Sequence, residues 1–115
     1  MIAKKFRLTE KEIKKVFKQK KPFFSRYWIV NTRKNNLQYN RIAILLSGKC
    51  TKGAVNRNFF RRKFYDTLFD IGLEGGFDLV FVPKKGQKFD FKISNDTKRF
   101  GESLSQLYTH ILNNS

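Results

Sequence analysis

The chain has 115 residues, one cysteine, and a formal net charge of +16 from 25 lysines and arginines against 9 aspartates and glutamates. That length holds a single domain, residues 1–115, with one hydrophobic core. One cysteine excludes a disulfide framework and any cysteine-rich zinc site, and it fits a reduced, cytoplasmic protein. No run of about 18 apolar residues is present, so no membrane-spanning helix and no apolar signal segment are expected. The charge is lopsided: residues 1–65 carry 19 basic and 2 acidic residues, whereas residues 66–115 carry 6 and 7. A field concentrated in one half of the chain is what a polyanion-binding surface requires, and nucleic acid is favoured over an anionic membrane.

Thr9-Glu10-Lys11-Glu12 predicts the first helix, with Thr9 as N-cap, Glu12 completing a capping box, and Leu8 and Ile13 placed as a hydrophobic staple. Ile13, Val16 and Phe17 form its apolar side, and Lys20-Lys21-Pro22 stops it. Phe23–Thr32 is rich in aromatic and β-branched residues and predicts a strand. Arg33–Tyr39, with Asn35-Asn36, reads as the turn of an antiparallel connection into a second strand, Arg41–Ser47, apolar enough to be covered on both faces. Phe77–Val82 predicts another strand, and Phe89–Ile93 a short extended piece. A last helix starts near Ser94 or Asn95, carries Phe100, Leu104, Leu107, Tyr108 and Ile111 at helical spacing, and frays at Asn113-Asn114-Ser115.

Between the second strand and Phe77 lies the segment Lys49–Phe69. As an α-helix from about Thr51 or Gly53 to Ile71, it puts Phe60, Phe64, Leu68 and Ile71 on one face. Arg57 and Arg61 flank that stripe, with Asn58 and Arg62 further round and Tyr65 and Phe69 on the same arc. Guanidinium forks, an amide and aromatic rings presented together suit RNA. The glycines from Gly72 to Gly76 end the helix.

At these residues the chain resembles the bacterial ribonuclease P protein subunit. The signature of that family runs Arg-Asn-Arg/Lys-Ile/Leu-Lys-Arg, with Arg-Glu after two more residues. Arg57-Asn58 matches the opening pair, Phe60 the apolar site and Arg61-Arg62 the Lys-Arg pair, while Ser47, Lys49, Ala54 and Val55 match the lead-in. Phe59 stands where the family has a second cation, and Tyr65-Asp66 replaces Arg-Glu, so this helix carries two cations fewer. Arg7-Leu8, Val16-Phe17-Lys18, Arg26, the Arg41 strand and Phe77-Asp78 extend the resemblance over essentially the whole chain.

The resemblance implies a fold and a division of labour. The fold is an α/β (α+β) two-layer sandwich, a small mixed sheet of three to four strands with three helices, in the order α-β-β-(β)-α-β-α. The extra strand lies near the first hairpin, and a left-handed βαβ crossover passes through the basic helix. The family's catalytic centre and its Mg²⁺ ions belong to a large RNA, so no cofactor is held by protein side chains alone. Lys49, Lys52, Arg57, Asn58, Arg61, Arg62 and Tyr65 become candidates for binding that RNA. Phe17, Lys18, Tyr27, Asn31 and Arg41 become candidates for a cleft holding the 5′ leader of precursor tRNA. Neither a membrane nor a small-molecule substrate is implied.

The residues themselves offer no self-sufficient active site. Metal-dependent phosphodiester cleavage needs clustered carboxylates or histidines, but only Glu10 and Glu12 are acidic before Asp66, and His110 is the sole histidine. An autonomous nuclease is therefore disfavoured. A free-standing basic RNA-binding module, of ribosomal-protein or chaperone type without a role in cleavage, explains charge and aromatics equally well. It does not explain the ordered Ala-Val-x-Arg-Asn-x-x-x-Arg segment between two strands.

Overall fold

A computed structural model of the chain describes residues 3–19 and 21–114. A 3-10 turn at Lys4–Phe6 precedes α1 (Glu10–Gln19), β1 (Lys21–Phe24), β2 (Trp28–Lys34), β3 (Arg41–Ile44), α2 (Ala54–Ile71), β4 (Phe77–Pro83) and α3 (Ser94–Asn113). The capping box forms as expected. Thr9 donates to Glu12 Oε1 from its backbone N–H (2.9 Å) and its hydroxyl (2.8 Å), and the Glu12 N–H returns a bond to Thr9 Oγ1 (3.3 Å). Lys20 and Ser115, part of the expected stop of α1 and of the frayed tail, lie outside the described residues.

The sheet has the order β1-β2-β4-β3, antiparallel except for the parallel pair β3–β4. Two expectations change here. The single strand foreseen over Phe23–Thr32 is a hairpin, divided where the Ser25 N–H bonds the Trp28 carbonyl (2.9 Å) and the Trp28 N–H bonds the Ser25 hydroxyl (3.1 Å). Residues 33–40 do not join neighbouring strands, because β4 lies between β2 and β3. Asn40 anchors that arrangement: its Oδ1 accepts from the N–H groups of Gly76 and Phe77 (both 3.0 Å), and its Nδ2 donates to the Tyr108 hydroxyl (3.1 Å). Gly75 is obligatory beside it, since a Cβ there would sit 2.3 Å from Asn40 Oδ1. Phe89–Ile93 is turn rather than strand, clamped to α2 by the buried Asn56, which donates to the Phe89 carbonyl (2.8 Å) and accepts from the Phe91 N–H (2.9 Å).

The hand of the β3–α2–β4 crossover follows from two hydrogen bonds and the L configuration. The Ile42 carbonyl accepts from Leu8 N–H (3.0 Å) on the edge away from β4, whereas Leu45 N–H donates to the Phe81 carbonyl (3.0 Å) within β4. The backbone groups of Ile42 and Ile44 thus point away from β4, while their side chains join the core formed with α2. Let β3 run upward with α2 toward the viewer. An L residue whose N–H and C=O point right then projects its side chain forward. Leu8 accordingly lies to the right of β3 and β4 to its left. The chain crosses leftward over the front of the sheet, so the connection is left-handed, against about 98% of parallel crossovers.

Helices cover both faces, a fuller layering than a two-layer sandwich. Trp28, Val30, Ile42, Ile44, Leu79 and Phe81 face the main core with Phe60, Phe64 and Leu68 of α2 and Phe100, Leu104 and Tyr108 of α3. Trp28 stacks on Phe89 (5.8 Å) and donates from Nε1 to the Ser103 hydroxyl (2.8 Å). Each such buried apolar side chain contributes about 1.5–3 kcal/mol. On the other face α1 sets Val16, Ile13 and Phe17 with Leu8 against Ala43, Val80 and Val82. The N-terminal segment adds an extended bridge, Arg7 beside Ile42.

One charged residue lies at the centre of the α1 face. Asp78 is fully buried and accepts from Arg41 Nε and Nη2 (2.8 Å each), Arg33 Nη2 (3.2 Å) and Asn35 Nδ2 (2.9 Å). Arg41 also pairs with Glu12 of α1. Burial alone would raise the Glu12 carboxyl pKa, but the Thr9 hydrogen bonds and the Arg41 charge outweigh it and hold it below the usual value. A lowered carboxyl contributes stability above its unfolded pKa, and that contribution fades as pH falls through the folded one. Acid titration should therefore show a stability loss below the ordinary glutamate range that Glu12→Gln lacks. Asp78→Asn leaves two guanidinium groups facing a neutral amide, and urea denaturation should show a loss of about 3 kcal/mol, the low end for a broken buried pair because both arginines retain some solvent contact.

Candidate RNA interface

The helix α2 buries Phe60, Phe64 and Leu68 as the helical spacing requires, but Ile71 stays exposed and Leu73, beyond the Gly72 turn, fills the core instead. Gly72 takes φ 122°, a conformation open to glycine. Tyr65 is also buried, not displayed on the basic arc. Burial raises its phenol pKa, which nearby Arg7 and Arg61 partly oppose. Phe69 is exposed, 6.4 Å from Phe6.

The basic residues divide into two groups. Asn58, Arg61, Arg62 and Tyr65 join Arg7 around a cavity of about 260 Å³. Within it Arg61 Nη1 donates to Asn58 Oδ1 (3.2 Å), which orients the fork. Three guanidinium-bearing residues around one cavity, walled by a phenol ring, offer charged donor groups suited to a phosphate. Arg57 instead leans on the loop before α2, with Nη1 3.4 Å from the Thr51 carbonyl and close to Gly48. That loop exposes Lys49 and Lys52. Phe59, in place of a family cation, packs edge-on against Phe60 (5.1 Å) and beside Phe91 (5.6 Å), capping the aromatic core.

The α1 face is built in cross-strand rows. Phe24, Ile29 and Val82 form one; Pro22, Asn31, Val80 and Ala43 the next; Arg33, Asp78 and Arg41 the third. Phe17 and Asn31 are half-buried, and Lys18 is exposed. Phe24 is 66% exposed, the most open aromatic of this face. Of the five leader candidates, Phe17, Lys18 and Asn31 belong to this side. Arg41 lies on it too, but its guanidinium is engaged by Asp78 and Glu12. Tyr27 does not: its ring packs on the main core and lies 5.7 Å from the Arg99 guanidinium of α3. The sequence reading missed Arg7, Arg33 and Phe24. Strand alternation from Asn31 through Ile29, once the hairpin is known, would have placed Phe24 on this face.

Other groups take no part. His110 is exposed beside Asn114, and Asp66 and Asp70 are exposed. Among the described residues no three His, Cys, Asp or Glu side chains cluster to hold a metal ion, and no helix is long and apolar enough to cross a membrane. Cys50 is buried, and desolvation pushes its thiol up to about 11 against a small opposing effect of Arg99.

A strongly basic α/β domain with an arginine-lined cavity on one face and an exposed aromatic, Phe24, on the other is, by class, an RNA-binding protein. The family model described as Ribonuclease P matches residues 2–111. The ribonuclease P protein component of Clostridioides difficile (strain 630) is 31% identical over 104 residues, 83% of this chain and 90% of that protein. The solved structure of the RNase P protein from Thermotoga maritima superposes with a TM-score of 0.68 at 27% identity, over 90% of this chain and 92% of that one. The Staphylococcus aureus RNase P protein shares the fold, with a TM-score of 0.66 at 18% identity over 94% of this chain and 93% of that one. The chain belongs to the ribonuclease P protein family, the RNA-binding component of an enzyme of tRNA 5′ maturation.

The Cys50 environment yields a direct check. At pH 8 about one thiol in a thousand would be ionised at such a pKa. Iodoacetamide should leave folded protein unlabelled over a period in which urea-unfolded protein reacts fully.

Proposed function

We propose that this chain, acting in the cytoplasm, assembles with a catalytic RNA and holds the 5′ leader of precursor tRNA while that RNA and its Mg²⁺ ions cut the leader away, the protein alone being inactive. The observation that supports this reading is the placement of two separate candidate surfaces on one small domain, one basic and one carrying exposed Phe24. The signature helix packs on one face of the sheet, and Phe17 of α1 with Phe24 and Asn31 of the strands belong to the other. One molecule can therefore grip a structured RNA and a single strand at the same time.

Arg61, Arg62 and Arg7 take phosphates of the catalytic RNA, Asn58 and the wall of Tyr65 shape the cavity, and Lys49, Lys52 and Arg57 add contacts from the adjoining loop. Phe17, Phe24 and Asn31 take leader nucleotides by stacking and hydrogen bonding, and Lys18 takes phosphate. Arg41 acts from beneath, linking α1 to the sheet. Because the protein neutralises crowded phosphates, it lowers the Mg²⁺ concentration at which the RNA works.

Cleavage of precursor tRNA by protein alone, RNA alone and both together tests the whole scheme. RNA activity enhanced by protein at low Mg²⁺ is expected, and cleavage by protein alone would overturn the division of labour. Arg61→Ala should weaken binding to the catalytic RNA about tenfold, roughly 1.4 kcal/mol and the low end for an exposed charged hydrogen bond. Phe17→Ala, once shown by circular dichroism to be folded, should cost about 1–3 kcal/mol in the preference for precursor over mature tRNA and leave assembly intact. Equal discrimination by that folded variant would restrict Phe17 to packing α1.

A further inference from the structure

Three lysines left over from the signature helix and the α1 face, Lys84, Lys85 and Lys88, meet Lys49 and Arg61 at one groove. It has a volume of about 810 Å³ and runs between the loop that leaves β3 and the loop that leaves β4, at the carboxyl ends of the two parallel strands. Lys49 and Arg61 line it from one side and Lys84, Lys85 and Lys88 from the other, with no carboxylate among its lining residues. None of the five is in an ion pair among the described residues. The floor is apolar: Leu45 is 39% exposed and adjoins Val82 and Pro83.

Such a groove discriminates between kinds of RNA. A regular duplex hides its base faces and offers only phosphates and sugar edges, which would leave the leucine floor uncovered. An unpaired nucleotide offers an apolar π-face and an anion a few ångströms apart. Its base can lie against apolar Leu45 and Pro83 with its phosphate among the lysines. Arg61 lines both this groove and the arginine cavity of α2, so one RNA crossing that cavity continues into the groove.

We propose that this groove binds an unpaired nucleotide of the catalytic RNA, a third RNA contact beyond the signature helix and the leader face. The proposal rests on the RNA-binding reading given above. From it Lys84, Lys85 and Lys88 acquire a role that neither charge count nor motif assigned.

The test uses the reconstituted protein–RNA complex. Lys84→Ala, Lys85→Ala and Lys88→Ala are combined in one chain, and Arg57→Ala is measured in parallel. The triple variant should bind the catalytic RNA about tenfold more weakly near physiological salt, with the slope of log affinity against log salt reduced by about one, as the loss of one phosphate contact requires. If it binds as wild type while Arg57→Ala is impaired, the groove assignment falls and the RNA-binding reading stands; if both bind as wild type, both fall. A benzophenone amino acid in place of Leu45 locates the occupant. Photocrosslinking to an unpaired nucleotide of the catalytic RNA, with or without precursor tRNA, is expected. Crosslinks confined to precursor tRNA or to paired segments, or none at all, overturn the proposal.

Discussion

The structure turns on one buried carboxylate. Asp78 lies in β4 between β2 and β3, and the guanidinium groups of Arg33 and Arg41 meet on it from both neighbours. A fully buried charge is tolerated only when paired and hydrogen-bonded, and Asp78 accepts four hydrogen bonds. The pairing also fixes register. A slip of one residue in β4 would turn the carboxylate into the aromatic core and a core residue toward the arginines. From Arg41 the linkage passes to Glu12 and from Glu12 to Thr9, so the N-cap of α1 is tied to the centre of the sheet. The position of Phe17 relative to Asn31 depends on that chain of contacts.

The strand order has a functional consequence. It places β3 at the edge of the sheet, with its outer side paired to the N-terminal segment through Arg7 and Leu8. That segment brings Arg7 to the arginine cavity beside Tyr65. The cavity is therefore assembled from the beginning and the middle of the chain, and α2 alone does not make it.

Local features of this fold were legible in the sequence. The capping box at Thr9–Glu12, the buried stripe of Phe60, Phe64 and Leu68 on α2 and the start of β4 follow from spacing and turn chemistry, and all form. What was not legible depends on partners distant in sequence. Residues 33–40 resemble a hairpin turn, and only Asn40 meeting Gly75 and Gly76 shows that β4 intervenes. Tyr65 lies on the basic arc by helical geometry, yet it is buried with the main core, and Arg7, more than fifty residues earlier, lines the same cavity. Strand alternation alone would put Tyr27 on the α1 face, but it precedes the first residue of β2 and turns with the hairpin toward Arg99. The crossover hand came from family resemblance alone, since the general rule points the other way.

Charge completes the account. Three acids serve the interior: Glu12 and Asp78 join the arginines of the sheet, and Asp96 pairs with Arg99 at the start of α3. No ion pair among the described residues engages Arg57, Arg61, Arg62 or the groove lysines. Their mutual repulsion opposes compaction, and the aromatic core of Trp28, Phe60, Phe89 and Phe100 offsets it. Phe59 belongs to that balance. Where the family places a cation, its ring, 38% exposed, lies against Phe60 and Phe91, so one cation lost from the helix surface becomes an aromatic contact at the margin of the core. RNA that binds the open cations relieves the same repulsion. The folded state and the RNA-bound state are therefore stabilised together, as linkage requires of any ligand that binds only the native fold.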